Sequence, residues 1–111
     1  MLIYKIFRSD ELAELLEQGA TQGAPVDLAD GYVHLSTGDQ VRETAARHFA
    51  REDGLHLLAV ETDTLGGALK WEVSRGGDLF PHLYRELRRE DVVWHAPLPL
   101  KGGTHDFSGL L

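Results

Sequence analysis

Along residues 2–8 the apolar and polar positions do not separate: Leu2, Tyr4 and Ile6 alternate with Ile3, Lys5 and Phe7, and both sets are mostly apolar or aromatic. Side chains on a strand point to opposite faces in turn, so the pattern predicts a central strand covered on both sides. The period then lengthens to that of a helix. Ser9 is placed as an N-cap, with Asp10 and Glu11 in a first turn whose dipole favours carboxylates. A helix over 10–18 follows, with Leu12, Leu15 and Leu16 as its buried stripe and Gly19 as its stop. Residues 21–29 read as a loop, broken at Gly23 and Pro25, with Asp27 and Asp30 as turn formers.

Strict alternation returns in the stretch from Asp30 to Thr37, where Tyr32, His34 and Ser36 share one face and Val33 and Leu35 the other. Thr37 and Gln40 stand as the ends of a capping box, so a second helix is expected from there to about residue 52. Its stripe is Val41, Thr44, Ala45, His48 and Phe49. Residues 55–61 are nearly continuously apolar and predict a second central strand. The pattern at 69–74 predicts a half-buried strand with Leu69, Trp71 and Val73 facing inward, followed by a short aromatic segment over 79–84 and a last strand over 91–97. Residues 101–111 have no period and read as a loosely held tail. The whole is one α+β domain over 1–100 with two main helices.

Composition narrows the classes of function. With 42% apolar and 26% charged residues in 111 positions, the chain builds its own core, and a single domain is the natural size. The absence of cysteine excludes disulfides, thiolate catalysis and sulfur-ligated zinc, and fits a cytoplasmic protein. A net charge of −7 argues against general nucleic-acid binding, which needs lysine and arginine against phosphates. No apolar run reaches the ~20 residues of a membrane span. A dimer is conceivable, but no exposed apolar stripe compels more than a monomer or a weak homodimer.

The candidate chemistry concentrates at the phenol, imidazole and hydroxyl of Tyr32, His34 and Ser36, ahead of a helix start at Thr37 that favours anionic or polar ligands. In the segment 80–84, His82 and Tyr84 alternate onto one side and close a pocket in the functional reading. The bland alternatives are a histidine bonded to a carbonyl for His34, a helix cap for Ser36, a solvated face for Glu72, and a surface cation for Arg75 in place of a phosphate contact. Six histidines invite a metal, but no His-x-x-x-His pair occurs, so no metal is expected. Serine hydrolysis is disfavoured because Ser36 lacks the Gly-x-Ser-x-Gly elbow.

Three blocks in order, Asp30-Gly31-Tyr32-Val33-His34-Leu35-Ser36-Thr37, Trp71-Glu72 and Phe80-Pro81-His82-Leu83-Tyr84, resemble a family of small bacterial proteins known as domain of unknown function 952. The resemblance covers roughly residues 3–98. It implies the ADP-ribosylation fold, a split or strongly curved mixed sheet with a nicotinamide dinucleotide in the cleft between its halves. It further implies that His34 and Ser36 hold the nicotinamide-side ribose, that Tyr32 or Tyr84 stacks the nicotinamide, and that Glu72 stabilises charge as the glycosidic bond opens. The chain departs from the transferase pattern at Lys70, where an acidic or amide residue is usual two positions before the catalytic glutamate. Two functions are therefore expected: an NAD-type nucleotide site with ADP-ribosyl transfer or glycosidic cleavage, or a binding module for a small metabolite without that chemistry.

Overall fold

At Leu35 the chain passes from one β-sheet to another, and the candidate site is built around that crossing. The computed structural model describes all 111 residues, the Arg75 side chain excepted. In chain order the regular elements are β1 (Leu2–Arg8), α1 (Ser9–Gln18), β2 (Ala20–Thr21), α2 (Pro25–Asp30), β3 (Val33–His34), β4 (Ser36–Thr37) and α3 (Val41–His48). They continue with β5 (Leu55–Glu61), β6 (Leu69–Val73), β7 (Leu79–Leu83), β8 (Leu87–Arg88), β9 (Val92–Leu98), β10 (Leu100–Lys101) and β11 (Thr104–His105). A four-stranded sheet has the order β4-β1-β5-β9, and a three-stranded sheet the order β3-β7-β6. Since β3 and β4 are separated only by Leu35, one extended segment serves as an edge strand in both.

The four-stranded sheet is covered on both faces, as the double apolar pattern of β1 requires. On one face Ile3, Phe7, Leu58 and Val60 pack with Leu12 and Leu15 of α1 and with Val33 and Leu83 of the smaller sheet. On the other, Tyr4, Ile6, Leu57 and Ala59 pack with Val41 and Ala45 of α3. Each fully buried Leu, Ile or Phe contributes roughly 1.5–3 kcal/mol, so these two layers fix the sheet and hence the cleft beside it. A radius of gyration of 13.0 Å is that of one compact domain. No helix is long and apolar enough to cross a membrane.

Several expectations from the sequence are corrected. Every strand pairing among the described residues is antiparallel, so the sheets are split but not mixed. Residues 25–30, expected as loop, form α2: Pro25 sits in the first turn, where its missing N–H costs nothing, and Gly31 ends the helix at φ 85°. There are thus three α-helices. The Thr37–Gln40 box closes a turn ahead of α3, with Thr37 N–H donating to Gln40 Oε1 at 3.0 Å, and the helix itself starts at Val41. Trp71 and Val73 are 40% and 70% exposed, because only the Leu69 end of their face lies over the core.

The last eleven residues are also held. Gly102 and Gly103, with φ of 61° and 84°, turn β10 back onto β11, as a tight hairpin requires. Phe107 is buried in the core layer against α3, under the Arg42 guanidinium.

Candidate functional site

The carboxylate of Asp27 ties together three elements around His34. Its Oδ1 accepts from the His34 backbone N–H at 2.9 Å and meets His34 Nδ1 at 2.6 Å. Its Oδ2 accepts from Ala24 N–H at 2.8 Å and from the Lys5 ammonium at 2.8 Å. Four donors fill the four lone-pair positions of a carboxylate. Lys5, only 5% exposed on the Ile3–Phe7 face of β1, also donates to the His34 carbonyl at 2.9 Å. Burial alone pushes the Asp27 carboxyl up, but the hydrogen bonds from His34 and the charge of Lys5 outweigh it and hold it below the usual carboxylate range. Gly23 makes room for this arrangement: at φ 104° it lies where a Cβ would stand 2.2 Å from Asp27 Oδ2.

His34 Nε2 meets Asp30 Oδ2 at 2.9 Å, so both nitrogens of the ring face carboxylates. Across the sheet His34 lies directly opposite His82, and His82 directly opposite Lys70, giving a row of two imidazoles and an ammonium on one face. The two imidazole centroids are 5.5 Å apart. His82 is itself held by a carboxylate, its Nδ1 lying 2.8 Å from Glu72 Oε1, and the Tyr84 hydroxyl donates to the same oxygen at 2.7 Å. Those two bonds lower the Glu72 carboxyl, and the Tyr84 phenol is pushed up to about 12 because Glu72 accepts its proton. The Tyr32 ring packs on both imidazoles, with centroids 4.5 Å from His34 and 4.2 Å from His82.

A cleft of about 1120 Å³ opens beside this face. His34, Ser36 and His82 line it, and so do Arg8, Arg47 and Phe49. Ser36 pairs with Tyr4 on β1, and Arg8 is four residues further along the same strand, a separation of about 13 Å at the rise of a β-strand. The cleft is therefore long, with imidazoles and Asp30 toward one end and a guanidinium stacked on Phe49 toward the other. β1 pairs with β4 only at Ile3 and Tyr4, which leaves its later residues to form the floor.

Of the residues expected from the sequence, Tyr32, His34, His82, Tyr84 and Glu72 come together. Tyr32 precedes β3, and with Tyr84 it lines a smaller pocket of about 320 Å³. Glu72 lines neither pocket and reaches the site through its bonds to His82 and Tyr84. Ser36 lines the cleft from the other sheet, its hydroxyl 2.9 Å from Thr44 Oγ1. Thr37 pairs with Ile3 and is not among the lining residues. The Arg75 side chain lies outside the described residues. Sequence reasoning missed Asp27 and Lys5, taking the first as a turn former and the second as an ordinary strand position. The signal was present, because a lysine among Ile3, Ile6 and Phe7 must be buried and so demands an acid. Among the described residues no group of three His, Asp or Glu side chains is placed to hold a metal ion.

A family model described as a protein of unknown function, DUF952, matches residues 6–95. The crystal structure of protein CC0527 from Caulobacter crescentus is similar, with 49% identity and a TM-score of 0.93 over 96% of this chain and 95% of that one. The solution NMR structure of the same protein gives 49% identity and a TM-score of 0.88 over 99% and 96% of the two chains. No curated protein matches.

Proposed function

The chain belongs to the DUF952 family, and from that membership we propose that its cleft is a nucleotide site for a ligand of the NAD type, in a domain of ADP-ribosylation-like architecture. The observation that carries this reading is the His34–His82 pair, directly opposed across two strands and each held by a carboxylate, beside the stacked ring of Tyr32. Convergent polar groups in a mostly pre-formed cleft are the usual mark of a small-molecule site. The donor set suits the ligand. Imidazole N–H groups and Ser36 match ribose hydroxyls, the Arg47 guanidinium in the same cleft matches a phosphate, and the rings of Tyr32 and Tyr84, which line the smaller pocket, match a planar base.

A bound NAD supplies a glycosidic bond to a cationic leaving base. The chain's part is to hold the ribose with His34 and Ser36 and, for cleavage, to bring the Glu72 carboxylate, which lines neither pocket, to the positive charge that develops at the anomeric carbon. His82 and Tyr84 keep that carboxylate ionised and oriented. The same two bonds favour a second reading, in which Glu72 only holds His82 and the site binds a metabolite without cleaving it. Titration with NAD and an assay for released nicotinamide test both. Under the first reading Glu72→Gln abolishes release. Under the second NAD or a related metabolite binds, no nicotinamide appears, and Glu72→Gln leaves affinity nearly unchanged. Absence of binding at millimolar NAD refutes the nucleotide site.

A further inference from the structure

We infer that Asp27 is the positioning residue of this site, that buried Lys5 is its counter-ion, and that together they fix the ring of His34 with a proton held on Nδ1. The inference rests on the nucleotide reading only for what His34 then touches; the positioning itself stands on geometry.

Asp27 Oδ1 is shared by two groups of the same residue, the backbone N–H of His34 at 2.9 Å and its ring Nδ1 at 2.6 Å. One oxygen therefore sets both where the His34 backbone lies and how its ring is turned. Because Oδ2 is filled by the Ala24 N–H and the Lys5 ammonium, Asp27 is an acceptor throughout, and an acceptor at 2.6 Å requires a proton on Nδ1. Nε2 faces the exposed Asp30 carboxylate at 2.9 Å, and that contact by the same rule takes a proton on Nε2; unlike Nδ1, this nitrogen is turned toward an exposed partner.

Asp27 does not line the large cleft: its side chain is fully buried and bonds the ring of His34, which does line it. It acts through His34. A structural role alone accounts poorly for Lys5. An ion pair out of water gains little net stability, and apolar residues of similar size commonly serve as well or better. Here the ammonium lies in an otherwise apolar layer beside Ile3 and Phe7, and its donors go to Asp27 Oδ2 and to the carbonyl of His34 itself. Both ends of the pair converge on one imidazole. The second histidine has no such support: its carboxylate, Glu72, is 39% exposed and shared with Tyr84.

The test is the long-range proton–nitrogen spectrum of the imidazoles in the full chain, which needs no ligand. The wild type should show the His34 proton on Nδ1, slow to exchange; a proton on Nε2 alone overturns the proposal. In Asp27→Asn the amide N–H₂ cannot face Lys5 and Ala24, both donors. Turned toward His34 it meets that residue's backbone N–H, also a donor, so one contact fails in either orientation and the slow exchange of the Nδ1 proton should be lost. A second variant, Lys5→Met with Asp27→Leu, replaces the pair by apolar groups and keeps the result readable where the single change does not fold. It should leave a dispersed spectrum, lose the Nδ1 signature, and weaken NAD at least tenfold. A folded double variant with an unchanged His34 signal means that the pair is structural only and overturns the proposal. If the signature moves as expected but the wild type does not bind NAD, the positioning role holds and the nucleotide reading falls.

Discussion

Removing Asp27 and removing Lys5 should have very different costs, although the two form one ion pair. Asp27→Ala leaves an ammonium that is 6% exposed facing the His34 carbonyl in place of a carboxylate, and it strands the Ala24 and His34 backbone N–H groups. Stranding one partner of a buried pair costs about 3–5 kcal/mol, a large share of the ~5–15 kcal/mol usual for a domain. Lys5→Met leaves Asp27 with three of its four donors and places a flexible apolar chain in the layer of Ile3 and Phe7. That change also leaves a buried charge without its counter-ion, but with three hydrogen bonds kept it should cost less, about 1–3 kcal/mol. At the unfolding entropy usual for this length, 1 kcal/mol corresponds to about 4 °C in Tm, so Asp27→Ala should lower Tm by roughly 12–20 °C and Lys5→Met by about 4–12 °C. Urea unfolding at neutral pH, followed by circular dichroism, reads both. Equal costs, or a loss below about 1 kcal/mol for Asp27→Ala, would refute the reasoning that the carboxylate is the hub.

Three further outcomes follow from the same geometry. The Asp27 carboxyl lies below its ordinary value in the folded chain, so its contribution is present above the unfolded value near ~3.9 and is lost as pH falls through the folded one; the urea midpoints of the wild type and Asp27→Ala should converge below about pH 4. Tyr84 is raised to about 12 by its bond to the Glu72 carboxylate, so that contact holds while Glu72 is ionised and fails as pH rises through that value. In an ultraviolet titration the last phenolate should vanish in Tyr84→Phe and move back toward ~10 in Glu72→Gln. Phe107→Ala should cost about 3–5 kcal/mol by urea unfolding, where a loose tail would cost almost nothing.

How far the fold was legible depended on whether a local pattern had one meaning. The double apolar alternation of residues 2–8 and the apolar run 55–61 both denote strands covered on two sides, and these are the two central strands of the larger sheet. Residues 32–36 were ambiguous. Alternation placed Tyr32, His34 and Ser36 in one row, but the break at Leu35 sends β3 and β4 to different sheets, and nothing local encodes which partner each strand takes. The pairing of His34 with His82 links residues 48 positions apart, so it arises from topology and not from spacing. Pro25 and Gly31 were legible as the start and stop of a helix, yet in a six-residue segment they also read as loop breakers. Lys5 was hidden by its apolar neighbours, although those neighbours were the reason to look for its acid.

The central claim is that the cleft beside the His34–His82 row takes a nucleotide. The most direct measurement is an NMR titration of the full chain with NAD, nicotinamide and ADP-ribose, alongside the thermal shift that binding to the native state must produce. The account predicts saturable shifts centred on His34, Ser36, His82 and Tyr84, with a raised Tm. Silence from all three at millimolar concentration, or shifts confined to residues away from that row, would contradict it.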